Sequence, residues 1–176
     1  PFHDWKDGGH GWVDSRRALE ESVNTYFYTV AMGLGIDRIY SYLDQFGFGK
    51  PTGIDLPGEG SGLLPSRDWK RGRYGEPWYP GETVISGIGE GFNVVTPLQL
   101  SNAMVTLVNG GRRLAPRLVF AIKKPGNAQA EKVEAPLQLQ VPVDDPQAWL
   151  AVLDGLRRVV NGVHGTARAV ALDADY

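Results

Sequence analysis

Ser22 and Asn24 are the residues best suited to chemistry in this chain, two positions apart in Glu20-Glu21-Ser22-Val23-Asn24-Thr25. In acyl transfer a nucleophilic serine attacks a carbonyl, and its proton must pass to a nearby base and later to the leaving amine. A second hydroxyl beside the nucleophile can relay that proton, the role that suits Ser22. A carboxamide can hold the substrate's amide oxygen and orient the base, which suits Asn24. A sharp turn between two helices would let both side chains face one cleft. The plainer alternative is a helix cap, because Ser and Asn are preferred there. Without further context the triplet favours the cap.

The elements around the triplet follow from periodicity and punctuation. Asp14 or Ser15 caps a helix with Ala18 and Leu19 among its apolar positions. A second helix runs through Tyr26, Phe27, Val30, Ala31 and Leu34, ended by Gly33 and Gly35. Asp37 caps a third, with Ile39, Tyr40, Leu43 and Phe46 at helical spacing, stopped by Gly47 and Gly49. From 50 to 80 the pattern dissolves into Gly, Pro, Trp and Tyr, which predicts a long irregular extension covering one face. Thr96 and Pro97 open a strongly apolar helix that Asn109-Gly110-Gly111 closes. Residues 118–122 suit a short strand, and 123–142 a surface hairpin or mobile loop. Asp144 or Asp145 caps a last helix through Trp149, Leu153 and Leu156, ended by Gly162. The chain reads as helix-rich with few strands, and shows no internal repeat or domain boundary.

Composition removes several classes. A net charge of -2 and a pI near 5.9 leave no electrostatic footprint for nucleic acid. There is no apolar run of about eighteen residues to span a bilayer. With no Cys, disulfides and thiolate metal sites are out. Gly87-x-Gly89-x-Gly91 lacks the Lys-Ser/Thr of a phosphate loop. Asp144-Asp145 and Glu20-Glu21 have the residue types of the paired acids in glycoside cleavage, but acids at helix starts serve the dipole, and the Glu pair is expected on a solvated face or in a local ion pair. Trp149 is expected in the core, Trp69 and Trp78 as cover, and Lys70, Arg71 and Arg73 as a solvated basic cluster.

Longer stretches supply the context. Lys6-Asp7-Gly8-Gly9-His10-Gly11 followed by Leu19 to Tyr28, then Phe46-Gly47-Phe48-Gly49 and Thr52-Gly53-Ile54-Asp55-Leu56-Pro57-Gly58-Glu59, resemble successive signatures of elongation-type class B penicillin-binding proteins. Gly87-Ile88-Gly89-Glu90-Gly91, Thr96-Pro97-Leu98-Gln99-Leu100 and Asn161-Gly162-Val163-His164-Gly165-Thr166-Ala167 continue the resemblance in order. Such enzymes use a nucleophile in Ser-x-x-Lys, a second Ser-x-Asn, and a Lys-Thr-Gly strand. Only the second is present here. Lys50-Pro51-Thr52-Gly53 is a decoy, since Pro removes a donor that a central strand needs. Glu90 stands where the family commonly has Gln.

The resemblance implies an α+β fold: a partial penicillin-binding or serine β-lactamase-like transpeptidase domain, mostly its helical part, with most of the main sheet outside. Residues 1–176 are then one segment of that domain between the two missing motifs, a cut piece expected to be inactive alone. It implies a peptidoglycan D,D-transpeptidase acting on D-Ala-D-Ala stem peptides and acylated by β-lactams. Ser22 would relay protons and Asn24 would hold the substrate amide. No cofactor is implied. The expected setting is a periplasmic domain anchored in the bacterial inner membrane, partnered by a glycosyltransferase of the elongation machinery, with no nucleic acid. Asp4 and His10 match two ligands of a zinc site seen in some relatives, but with no Cys and with Val23 as a packing position, no metal site is expected, and His10 is read as a loop histidine bonded to backbone. The rival readings are a β-lactamase or D,D-carboxypeptidase of the same fold, and a non-catalytic scaffold that kept it.

Overall fold

The computed structural model describes residues 2–171. The elements in order are α1 (Ser15–Glu20), α2 (Asn24–Leu34), α3 (Ile36–Gln45), α4 (Arg67–Tyr74), α5 (Pro80–Ser86), α6 (Pro97–Val108), β1 (Arg112–Leu114), β2 (Ala121–Ile122), β3 (Glu131–Lys132), β4 (Leu137–Gln140), α7 (Pro146–Asn161) and α8 (Arg168–Ala171). They fall into two compact units, one of Pro1–Ile39, Arg67–Gly91 and Val143–Tyr176, the other of Tyr40–Ser66 and Phe92–Pro142.

The first unit is helical. Asp14 caps α1 by accepting from the Arg17 N–H at 2.8 Å, and Asp145 caps α7 from Gln147 and Ala148, with Pro146 opening the helix. α1 lies along α7 because Gly155 gives it room: a Cβ there would stand 2.6 Å from Leu19 Cδ1. α5 packs on α2, where buried Ala31 meets Gly87 with no space for a side chain on the glycine. The expected irregular extension contains a helix, α4, and is followed by α5, which starts at Pro80. Lys70 departs from the solvated basic cluster expected of it. It is 2% exposed, pairs with Glu82, and lies over the Tyr79 ring at 4.1 Å, while Arg71 and Arg73 stay exposed. The Trp78 indole is buried as cover and donates to Thr83 Oγ1 at 2.9 Å. Trp149, expected in the core, is half-buried.

The second unit is built on α6. Thr96 and Gln99 form a reciprocal capping box at its start. The Gln99 amide also donates to the Lys50 and Ser61 carbonyls, both at 2.7 Å, so one buried side chain ties the helix to the irregular chain before it. Within that chain the Glu59 carboxylate accepts from the Thr52 N–H, the Thr52 hydroxyl and the Gly53 N–H. β1 pairs antiparallel with β4, setting Arg112 against Gln140 and Arg113 against Leu139, and β2 pairs with β3. The stretch expected as a hairpin or loop therefore carries two short strands.

Candidate active site

The turn between α1 and α2 is a helix stop of the kind that ordinarily uses glycine. The Val23 N–H donates to the Ala18 carbonyl at 2.9 Å, and the Ser22 N–H to the Leu19 carbonyl at 3.2 Å. This pair of six-to-one and five-to-two bonds is the Schellman pattern, whose penultimate residue is left-handed. Here that residue is Ser22, with φ 54°, the only non-glycine at positive φ among the described residues. Val23 and Ala18 are buried beneath it at 2% and 0% exposure. The backbone thus turns sharply while Ser22 stays exposed and the part-exposed Asn24 opens α2. The side-chain cap expected as the alternative is not what forms here: the N-cap position of α2 is Val23, and Ser22 instead occupies the left-handed position that ends α1, where a serine carries a conformational cost that glycine would not.

The turn is braced from two sides. The Trp5 indole donates to the Glu21 and Ser22 carbonyls at 3.1 and 3.2 Å. Val23 supplies no side-chain cap to α2; Asp4 does so from a distant loop, accepting from the Thr25 N–H at 3.1 Å and the Thr25 hydroxyl at 2.9 Å. Burial works to raise the Asp4 pKa, but the Thr25 and Trp5 bonds and His10 outweigh it, and the net direction is down. The bond from Arg17, at 2.6 Å, leads in holding the Glu21 carboxyl below its ordinary value, against the opposing effect of burial. His10 is not bonded to backbone, as the sequence suggested. It is buried between carboxylates, Nδ1 3.5 Å from Asp4 and Nε2 3.7 Å from Glu21, and neither nitrogen has a hydrogen-bond partner. Among the described residues no group of three or more His, Cys, Asp or Glu side chains is arranged to hold a metal ion, and no step is assigned to one.

On the other side, Ser22 Oγ lies 3.0 Å from Thr166 Oγ1. Sequence reasoning placed Thr166 in a family-like Gly-Thr-Ala run but gave it no part in the site; 144 positions separate it from Ser22, so no local spacing could have joined them. Glu20, expected on a solvated face or in a local ion pair, is 8% exposed and reaches the Thr166 segment: its carboxylate accepts from the His164 N–H and its carbonyl from the Thr166 N–H, both at 3.2 Å. Ser22 and Asn24 line neither of the two cavities described, near Leu98 and Phe120 in one unit and near Val160 and Ala167 in the other.

An exposed hydroxyl on a strained turn, paired with a second hydroxyl and followed by a carboxamide, suits acyl-transfer chemistry on one wall of a larger site. The family model for the penicillin binding protein transpeptidase domain matches residues 1–176, and the chain belongs to that family. More particularly, it is 44% identical over 177 residues to the peptidoglycan D,D-transpeptidase MrdA of Haemophilus influenzae, covering 99% of this chain and 27% of the relative. Among solved structures it is similar to Pseudomonas aeruginosa PBP2 in complex with WCK 5153, at 37% identity and a TM-score of 0.81, covering 99% of this chain and 39% of that one. It is also similar to PBP2 in a complex with MreC from Helicobacter pylori, at 31% identity and a TM-score of 0.83, covering 99% and 30%. The fold is accordingly part of a transpeptidase domain, mostly its helical portion with small sheets only. The chain spans about a quarter of the length of such curated relatives, as the 27% share shows.

Proposed function

We propose that this chain supplies the Ser22–Asn24 wall of the active site of a serine-type peptidoglycan D,D-transpeptidase. The observation that carries the reading is Ser22 itself, a serine in a left-handed turn position with its side chain exposed and hydroxyl-paired. In the reaction, a nucleophilic serine elsewhere in the protein attacks the D-Ala-D-Ala carbonyl. The peptide bond breaks, the acyl group stays on that serine, and the terminal D-Ala leaves as an amine. That amine needs a proton, which Ser22 hands on from the nucleophile's base. Asn24 holds the amide of the acyl donor. The amine of a neighbouring stem peptide then takes the acyl group, and a β-lactam stops the cycle at the acyl-enzyme.

A Ser-x-x-Lys nucleophile and a Lys-Thr-Gly strand are not among these 176 residues, so the activity belongs to a longer protein and the isolated segment is inactive. The similarity to a PBP2 that forms a complex with MreC supports a place in a multiprotein assembly; a glycosyltransferase of the elongation machinery as partner is what the family resemblance implies. The setting proposed is the periplasmic face of the inner membrane. No helix among the described residues is long and apolar enough to cross a membrane, so an anchor would belong to other sequence.

The test uses the full-length protein with stem-peptide donor and amine acceptor, together with a labelled penicillin. Formation of cross-linked dimer, with slow release of the bound label, is the expected result. Rapid hydrolysis of the label without cross-linking would favour the hydrolase, and no acylation at all would favour the scaffold.

A further inference from the structure

The inference concerns the hydroxyl that meets Ser22, and it rests on the proton-relay reading of that serine. We propose that Thr166 is a positioning residue: it holds the Ser22 hydroxyl in the orientation a relay requires, from a turn that Glu20 fixes in place.

A serine hydroxyl carries one proton and two lone pairs, and its hydrogen rotates to suit its surroundings. To relay, Ser22 must accept one proton and donate another. A third partner that donates into one lone pair leaves the second lone pair and the proton free, in known directions. The Thr166 hydroxyl at 3.0 Å is placed to be that partner. An exposed serine without it would sample its staggered rotamers. Thr is β-branched and stiff about its first torsion, so it holds its own hydroxyl better than Ser or Asn would.

The segment that carries Thr166 is itself tightly held. Its N–H donates to the Glu20 carbonyl, the neighbouring His164 N–H to the Glu20 carboxylate, and the Ala167 N–H to the Val159 carbonyl at 3.0 Å. Gly162 and Gly165 have no space for a side chain: a Cβ on the first would strike the Glu20 carboxylate, and one on the second the Arg158 and Val159 carbonyls. Arg158 closes the arrangement 4.0 Å from the Glu20 carboxylate. Glu20 directly follows Leu19, whose carbonyl closes the Ser22 turn. The end of α1 therefore meets both sides of the hydroxyl pair, Ala18 and Leu19 through the Ser22 turn and Glu20 through the Thr166 segment.

The experiment measures acylation of the full-length protein by a labelled penicillin, separating the limiting rate from the half-saturating concentration. Thr166→Val keeps the shape and removes the hydroxyl; Thr166→Ser restores it. Thr166→Val is expected to lower the limiting rate about tenfold, with little change in half-saturation or thermal midpoint, and Thr166→Ser to recover most of the rate. A purely structural role would move the thermal midpoint or the half-saturating concentration instead. Should Thr166→Val acylate like wild type while Ser22→Ala is slow, the positioning role is wrong and the relay stands. If Ser22→Ala also acylates like wild type, the relay reading itself falls.

Discussion

The Ser22 turn and the Gln99 joint solve the same problem in opposite ways. Each holds irregular chain in place through a side chain at a helix end. At the joint, Gln99 is 1% exposed and spends every polar atom on the cap and on the Lys50 and Ser61 carbonyls. At the turn, the backbone is held by others, Trp5, Asp4 and the α1 carbonyls, while Ser22 keeps an exposed hydroxyl in a backbone conformation that glycine would adopt without strain. The first arrangement maximises stability. The second gives some up to present a group, which is what the role proposed for Ser22 requires.

Substitutions should separate the two kinds of site. The largest loss is expected at Lys70, a buried tie of the Gln99 kind that lies in the same unit as Ser22. Lys70→Met removes the buried ammonium from the Glu82 carboxylate, which keeps only the Tyr79 N–H, and should cost about 3–4 kcal/mol in urea unfolding. Gln99→Ala removes a capping box and strands two carbonyls, for about 3 kcal/mol by the same measurement. Ser22→Gly should go the other way, raising stability by about 1 kcal/mol as the left-handed strain is released. Equal or lower stability for Ser22→Gly would remove the contrast between the sites.

A smaller effect is expected from pH. Burial favours protonation of Glu59, yet the bonds from Thr52, Gly53 and Ile54 prevail and hold its pKa below the ordinary 4.5. With a folded pKa below the unfolded one, its contribution is present above pH 4.5 and fades as pH falls through the folded value. Glu59→Gln should flatten that acid limb in a thermal-melt series. An unchanged limb would assign it to other carboxylates, Asp4 and Glu21 among them.

What the sequence disclosed was local. The Asp14 cap, Thr96-Pro97 with its Gln99, and Asp145-Pro146 are signals within one helical turn, and each marks a real helix start. The short α4 and α5 were hidden among Gly, Pro and aromatics, although Pro80 and Glu82 carried a start signal. Burial of Lys70 and Glu20 could not be read, because it depends on partners brought up by folding. The same is true of Asp4 capping α2 from 21 positions away and of Thr166 reaching Ser22. Ser22 and Asn24 were legible as residue types at a break, while the left-handed turn that gives the serine its exposure was not.

The most direct measurement is the limiting rate at which a labelled penicillin acylates the full-length protein, compared between wild type and Ser22→Ala. A relay hydroxyl predicts a fall of about a hundredfold, with the thermal midpoint unchanged. A rate within about threefold of wild type would show that the Ser22 hydroxyl takes no part in the chemistry, since loss of a proton-transfer group costs far more.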